Sequence, residues 1–315
     1  MRLAFIKCHG SGNDFPLVDA REIALDDAGW ARVARALANR DGPVGGDGLL
    51  LLTPGGDGHA FGMRMFNPDG SEAETCLNGL RCTARLGFET TGLNAAQVRL
   101  KTSSAQAAMA EPIAPGVTSI TTRAGPVTTD PGAVGLVGLA EAVIDAAIAG
   151  LPSERAFTAL AIANPHLVAF VETVDEAELV ALGDWCEAKP ALIPNRINVS
   201  FASAGSGGLF VRTYERGVGL TNSCGSAMAA ATFAAGLTGR IAFGREIVVR
   251  NRGGLVRARA EAPAAGGMVS VTGNATFLYD GVITVDPDSG AIDDLAVHSR
   301  RPDEVAAWAA VAGGA

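Results

Sequence analysis

The strongest constraint on the fold is an internal repeat built around two cysteines. Cys76 ends a segment that begins at Phe66 (FNPDGSEAETC), and Cys224 ends one that begins at Tyr214 (YERGVGLTNSC). In both, an aromatic residue ends an apparent strand, a glycine-bearing loop follows, and the cysteine precedes a predicted helix at the same spacing. Such self-similarity predicts two related halves that face each other across a cleft.

Apolar residues recur at helical spacing in several segments and alternate with polar residues in shorter ones. Turns rich in glycine separate these segments, which is typical of a chain that mixes helices and strands. The pattern therefore predicts an α/β (α+β) fold. The predicted helices span 26–39, 78–90, 176–187 and 226–237. The predicted strands span 3–19 (two strands and a glycine turn), 47–52, 62–66, 98–109, 119–123, 156–162, 167–171, 209–214, 246–250, 255–260, 268–272 and 275–285.

The domain organisation follows from the same repeat. The plan of the first half begins again after Gly125-Pro126, and the last predicted strand crosses back to complete the first half. The end of the chain is acidic and then Ala-rich, which predicts a short helix or a loose tail. The predicted limits are 1–126 plus 275–286 for the N-terminal domain, 127–274 for the C-terminal domain and 287–315 for the appended tail.

The position of each cysteine has a chemical consequence. A thiol just before a helix lies at the positive end of the helix dipole, among N–H groups without helical partners, and this favours the thiolate. The same helix starts, Asn78-Gly79 and Gly225-Ser226, offer backbone donors to a carboxylate. Two such sites would hold an α-carboxylate with one sulfur on either face of Cα. We therefore expect stereoinversion, in which one thiolate removes the α-proton and the other thiol delivers one.

Charge and hydropathy exclude other classes of protein. The net charge of -8 argues against a nucleic-acid partner and weakly against an acidic membrane surface. The first residues do not form the apolar core of a signal peptide, and the longest apolar stretch, 132–151, is interrupted by Glu141 and Asp145. We therefore expect a cytoplasmic protein without a membrane span.

The remaining cysteines and the histidines do not indicate a metal site. The chain has five scattered cysteines without a CxxC pair, and its four histidines do not lie at zinc-ligand spacing. We expect neither a metal nor a cofactor, since no pyridoxal signal or nucleotide-binding loop is present either. Cys8, Cys82 and Cys186 lack the context of the repeat and are predicted to be packing residues.

The motifs together resemble the diaminopimelate epimerase family over residues 1–285. The resemblance implies two pseudo-symmetric domains, each a curled, mostly antiparallel sheet or barrel around a central helix, with the active site in the interdomain cleft. It also implies cofactor-independent interconversion of LL- and meso-diaminopimelate, in lysine and peptidoglycan precursor synthesis, and a possible homodimer. Cys76 would be the base toward the LL form and Cys224 toward the meso form. The motifs that carry the resemblance are HGSGNDF at 9–15, FNPDGSE at 66–72, NPH at 164–166, YERG at 214–217 and the two cysteine loops.

The resemblance also implies a set of residues around the substrate. His166 would orient Glu215, and the helix starts named above would hold the reacting carboxylate. Arg216 can fork onto a second carboxylate, and Glu215 can accept from an ammonium. The residues implied for the distal, non-reacting end of the substrate are Asn13, Asn67, Asn164, Asn198, Glu215 and Arg216.

The sequence departs from the family pattern in ways that bear on specificity. Gly48 stands where the family usually has glutamine, so a substrate contact is expected to be missing. Leu77 and Ala227 replace glycines after the cysteines, and Leu220 replaces a usual glutamate. Three alternatives therefore stay open: a racemase for another amino acid such as histidine or hydroxyproline, a silent amino-acid-binding protein, and a thiol redox protein.

Overall fold

The computed structural model describes residues 1–205 and 207–313. They form two compact units. One consists of Met1–Thr122 and the segment that starts at Thr272, and the other of Arg123–Val271. The domain limits expected from the sequence stay a prediction.

The elements of the described residues run in chain order as follows. The helices are α1 Asp27–Ala38, α2 Leu77–Thr91, α3 Pro131–Val134, α4 Glu176–Glu187, α5 Gly225–Leu237 and α6 Pro302–Ala312. The strands before α3 are β1 Arg2–Gly10, β2 Asn13–Asp19, β3 Leu49–Gly56, β4 His59–Phe66, β5 Glu72–Ala73, β6 Ala95–Arg99, β7 Ser104–Ala110 and β8 Ser119–Ala124. The later strands are β9 Thr158–Ile162, β10 Asn164–Phe170, β11 Asn198–Gly205, β12 Gly208–Glu215, β13 Gly219–Thr221, β14 Ile247–Asn251, β15 Gly254–Ala260, β16 Val269–Asn274, β17 Thr276–Val285 and β18 Ile292–Arg300. None of the described helices is long and apolar enough to cross a membrane.

The first unit contains a mixed, mostly antiparallel sheet. Its strands lie in the order β18, β17, β1, β2, β3, β4, β6, β7, and the short β5 pairs with β4. The pairs β2–β3 and β4–β6 are parallel, and α1 and α2 lie between them along the chain. Parallel neighbours need such a crossover, whereas the antiparallel pairs other than β1–β17 use short turns.

The second unit repeats this topology. Its strands lie in the order β9, β10, β11, β12, β14, β15, and the short β13 pairs with β12. Again two pairs are parallel, β10–β11 and β12–β14, and a helix connects each of them, α4 and α5. The prediction of two related halves is therefore confirmed by the order and direction of their strands.

One helix lies at the centre of each unit. Helix α2 is buried at every residue from Leu77 to Phe88, and α5 from Gly225 to Ala235. A helix buried on all sides must be enclosed by other elements. Strands β1, β2, β3, β4 and β7 contact α2, and strands β9 to β12, β14 and β15 contact α5. The predicted arrangement of a curled sheet around a central helix is confirmed in both units.

Four strands were not predicted from the sequence, the short β5 and β13 and the longer β11 and β18. Strand β11 (NVSFASAG) is rich in small and polar residues, which weakens the alternation that marks a strand. It is nevertheless central, because it pairs with both β10 and β12. Strand β18 lies in the segment predicted to be a tail and pairs with β17. Its alternation is hidden by acidic residues on an exposed face, which is common for an edge strand.

The C-terminal helix α6 packs on the first unit. The ring of Trp308 lies 5.7 Å from the ring of His9, and Trp308 is buried. Glu304 forms an ion pair with Arg85 of α2, 2.5 Å between Oε2 and Nη1, and also accepts from the backbone N–H of Phe277. The segment after residue 287 therefore contributes to the core that surrounds α2.

Candidate active site

Cys76 caps the N-terminus of α2. Its backbone is extended, and its Sγ accepts a hydrogen bond from the N–H of Gly79 at 3.3 Å. A side chain that accepts from this third residue satisfies one of the N–H groups that a helix start leaves open. The half-buried sulfur therefore occupies the position at the positive helix end that the sequence predicted.

Two predicted site residues lie beside this sulfur. Cys76 Sγ lies 3.8 Å from Oδ1 of Asn13, which is the first residue of β2. Asn78, in the first turn of α2, donates from Nδ2 to the same oxygen at 3.5 Å. The glycine turn between β1 and β2 therefore brings the Asn13 amide to the cysteine. Asn67 lies in the loop after β4, where its Nδ2 donates to Ser71 at 2.9 Å.

A cluster of ion pairs anchors the start of β2. Asp14 contacts Lys7 Nζ at 2.5 Å and Arg40 at 2.6 Å, and Arg40 also contacts Asp47 at 2.6 Å. Burial alone would raise the pKa of Asp14, but the two cations outweigh it and hold the pKa below its ordinary value. Asp14 is therefore an ionised anchor that fixes the strand carrying Asn13.

Cys224 occupies the matching position in the second unit. It caps α5 with an extended backbone, and its Sγ lies 3.4 Å from the hydroxyl of Ser226. Burial raises the pKa of Cys224 well above its ordinary value, and the Glu215 carboxylate adds to this shift. The hydrogen bonds from Ser226 and the N–H of Ala227 offset only part of it. Cys224 is therefore a thiol at neutral pH.

Several predicted residues gather around the end of β12. Asn198 Oδ1 accepts from the N–H of Arg216 at 3.0 Å, and Glu215 accepts from the hydroxyl of Thr221 at 2.6 Å. Asn198 Nδ2 also lies 3.5 Å from Nε2 of His166. Through these contacts the backbone of the loop after Tyr214 is bound to Asn198 of β11, which in turn contacts His166 of β10.

His166 is fully buried beside Asn164, whose Oδ1 lies 2.9 Å from its Nε2. Burial, and secondarily the charge of Arg216, lower the pKa of His166 to about 3. The ring is therefore neutral at physiological pH. Within the described part of the chain, the ring contacts the side chains of Asn164 and Asn198. That His166 orients Glu215 stays a prediction.

Gly48 has a steric reason to be glycine. A Cβ at this position would lie 2.4 Å from the backbone oxygen of Phe66 and 2.8 Å from Cε of Met65. Carbon atoms do not approach a backbone oxygen this closely, so glutamine would force β3 away from β4. The departure from the family pattern at Gly48 is therefore a requirement of this backbone. Leu77 and Ala227 are buried at the starts of the two central helices.

The sequence analysis did not identify the residues that form hydrogen bonds to the predicted site residues and to the loop after β12. Asp47 accepts from Asn13, Arg81 donates to Asn78, and Glu187 accepts from the N–H of Gly217. Tyr214 also donates to Asp184 at 2.7 Å. The one available signal was Arg81 itself, since a charged residue on a wholly buried helix needs a polar partner.

The two buried histidines predict a dependence of stability on pH. Burial also lowers the pKa of His9, to about 4, and its Nδ1 accepts from Gly12 N–H at 3.3 Å and from Asn274 Nδ2 at 3.2 Å. Because the unfolded chain protonates His9 and His166 near their ordinary pKa, stability is highest above pH 6.5 and falls as the pH drops. We expect a loss of about 1.4 kcal/mol per pH unit for each histidine between pH 6 and 4.

Urea denaturation of the His9→Gln and His166→Gln variants at several pH values measures this effect. Each variant should show a shallower decrease than the unchanged protein over this range. Replacement of the exposed His298 is the matched control, and it should leave the decrease unchanged. Equal slopes in all four proteins would contradict the assignment of buried neutral rings.

Known proteins are similar to this chain over most of its length. The family model described as diaminopimelate epimerase matches residues 5–114 and 158–278. The diaminopimelate epimerase of Clostridium acetobutylicum is 36% identical over 290 residues, which cover 91% of this chain and 87% of that protein. That of Lactiplantibacillus plantarum is 35% identical over 293 residues, with 88% of each chain covered.

Solved structures share the fold at low identity. A hydroxyproline epimerase from Agrobacterium vitis superposes with a TM-score of 0.65 at 14% identity, and covers 100% of this chain and 98% of its own. A PhzF-family phenazine biosynthesis protein from Bacillus anthracis reaches 0.63 at 14% identity, over 90% and 100%. These two similarities concern the fold alone. By the family model and the identity to its relatives, the chain belongs to the diaminopimelate epimerase family.

Proposed function

We propose that this protein interconverts LL- and meso-diaminopimelate by proton transfer between Cys76, Cys224 and the α-carbon, without a cofactor. The observation that carries the proposal is the matched position of the two cysteines, each the N-cap of the central helix of its unit. The relatives named diaminopimelate epimerase, which match most of the chain, support the choice of substrate.

The proposed step conserves protons and charge. The thiolate of one cysteine takes the α-proton and becomes a thiol, while the thiol of the other gives its proton to the opposite face and becomes a thiolate. The mechanism requires both sulfurs to reach the same Cα. The intermediate charge spreads into the α-carboxylate, which backbone N–H groups at the two helix starts would stabilise. The residues proposed for this carboxylate are Asn78, Gly79, Gly225 and Ser226.

We assign the first role of acid to Cys224, because burial raises its pKa, and the first role of base to Cys76. After inversion the protonation states are exchanged, and the reverse direction begins from the other cysteine. This order agrees with the expectation that Cys76 acts on the LL form.

The distal end of the substrate would be recognised by polar residues around β2 and β12. Arg216 offers a planar fork for a second carboxylate, and Glu215 offers an acceptor for a second ammonium. A simple amino acid lacks this second α-amino-carboxylate and makes neither of these contacts. The set proposed for this end is Asn13, Asn67, Asn164, Asn198, Glu215 and Arg216, and His166 supports it.

Deuterium exchange tests the proposal. The reduced protein in deuterated water is given LL- and meso-diaminopimelate, and α-deuterium uptake and the other stereoisomer are followed by NMR and chiral chromatography. Lysine is the matched control, because it keeps the distal ammonium and lacks the distal carboxylate; histidine and hydroxyproline test the alternatives. We expect exchange with inversion on diaminopimelate alone. Inversion of another amino acid would contradict diaminopimelate as the substrate and keep the two-cysteine mechanism. No exchange on any of the amino acids would contradict the proposal that the protein is an epimerase.

We also propose that the enzyme acts in the cytoplasm as a homodimer, as the resemblance implies. The dimer is tested by light scattering of the purified chain at several concentrations. A mass that stays at one chain throughout, about 32.0 kDa, would contradict it.

A further inference from the structure

Arg81 is a buried cation without an acidic partner among the described residues. It is 0% exposed, one turn into α2. Its side chain donates to three neutral oxygens, Asn274 O at 3.0 Å, Ser11 Oγ at 3.0 Å and Asn78 Oδ1 at 2.9 Å, and its Nη1 has no hydrogen-bond partner. Burial of an unpaired charge costs free energy, and burial lowers the pKa of Arg81 to about 10. Such a residue constrains its neighbours strongly.

The first neighbour that it constrains is the amide of Asn78. A guanidinium can only donate, so the Asn78 atom that faces Arg81 must be the carbonyl oxygen. The amide nitrogen of Asn78 then points the other way, toward Oδ1 of Asn13 at 3.5 Å. The orientation of the Asn78 amide therefore requires the Asn13 amide to present its oxygen to Asn78.

Asp47 constrains the second of these two amides, that of Asn13. An ionised carboxylate can only accept, so the Asn13 atom that faces it must be the nitrogen, and Nδ2 donates to Asp47 Oδ2 at 2.5 Å. The carboxylate is itself held by Arg40 at 2.6 Å and by the N–H of Asp14 at 3.0 Å. Asp47 and Arg81, the latter through Asn78, thus both require Asn13 Oδ1 to face Asn78 and the Cys76 sulfur.

We propose that Arg81 and Asp47 are positioning residues that fix the two amides so that the Cys76 sulfur meets a carbonyl oxygen. The contact between Cys76 Sγ and Asn13 Oδ1, 3.8 Å, can then form only with a thiol that donates. The N–H of Gly79 donates to the same sulfur and favours the thiolate. The two amides therefore oppose the effect of the helix start on the sulfur and set its rotamer. Their role in catalysis rests on the proposed function, whereas their effect on the thiol does not.

The test uses Asp47→Ala, because Asp47 is 40% exposed and alanine, unlike asparagine, leaves no oxygen that could accept from the Asn13 amide. Only the long contact with Asn78, 3.5 Å, then opposes a turn of the Asn13 N–H toward the sulfur, where it would stabilise the thiolate. Iodoacetamide alkylation of Cys76 is followed by peptide mass spectrometry between pH 6 and 9 without substrate. We expect alkylation at pH 7 to accelerate about tenfold, with the titration shifted to lower pH. Asp47→Glu, which keeps the acceptor, should restore the original profile.

Asp41→Ala is the control for charge. Asp41 is exposed in the same loop between α1 and β3, and its replacement removes one negative charge while Asp47 keeps its hydrogen bond to the Asn13 amide. Its alkylation profile should match the unchanged protein, with thermal unfolding as a check of the fold. Equal acceleration in Asp41→Ala and Asp47→Ala would show an effect of charge alone and overturn the proposal, as would an unchanged Asp47→Ala profile. Because no substrate is used, either result is independent of whether the protein epimerises diaminopimelate.

Discussion

Serine at either Cys76 or Cys224 is expected to abolish stereoinversion and to leave the fold intact. A hydroxyl has far too high a pKa to remove or return an α-proton at neutral pH, and the sulfur of one face cannot serve the other. We expect kcat to fall by at least about 1,000-fold in each variant. The fold should tolerate the change, since serine is a favoured N-cap and can accept from Gly79 as the thiol does.

Chiral chromatography of the products measures this loss, and the double variant completes the cycle. The two cysteines act as one unit, so the double variant should be no slower than either single variant. Cys186→Ala is the matched control, because Cys186 is buried in α4 and burial raises its pKa to about 12. Near-normal turnover in Cys76→Ser or Cys224→Ser would exclude the two-cysteine scheme.

Alanine at Gly10 is expected to damage both stability and turnover. Gly10 ends β1 where the strand meets the first turn of α2, and a Cβ there would lie 2.6 Å from Asn78 O and 3.0 Å from Arg81 Nη2. The strand or the helix start must move, and overpacking of this kind costs about 1–3 kcal/mol. Because α2 carries Cys76 at its cap, a displacement of about 1 Å is expected to reduce kcat about 100-fold.

Gly205→Ala is the matched control for Gly10→Ala. Gly205 also ends a strand, and a Cβ there meets nothing within 4 Å. Urea denaturation and epimerisation assays of the two variants should separate them, with Gly205→Ala close to the unchanged protein. Equal behaviour of both variants would contradict the close contact between β1 and α2.

The repeat and the central helices were predictable because their signals are local. A cysteine before a small turn and a helical run marked both helix starts. Helix α4 was predicted to the residue, and Asp175 before it accepts from Ala177 and Glu178. Strand β11 was missed because its place between two strands is fixed by pairing, and its own small residues carry little of that information.

The positions of Cys76 and Cys224 at helix starts were predictable from the sequence, and the contacts around them were not. Cys76 lies beside Asn13 and Asn78, and Asn198 lies beside His166. Their roles toward a substrate stay predictions. Asp47 and Arg81 escaped notice, because the partner of a long or exposed side chain depends on tertiary packing. The direction of a side-chain amide has no local signature either.

The pairing of β1 with β17 has a consequence for how the chain is made. Strand β1 is synthesised first, but its partner β17 is synthesised only after the whole of Arg123–Val271. Contacts between such distant segments close slowly, and until they form β1 keeps an open edge that invites wrong pairing. The second unit is continuous in sequence and has no such wait. Vectorial synthesis therefore favours a nascent chain in which the later half matures first, and a chain cut short before β17 leaves the earlier half without its closing strand.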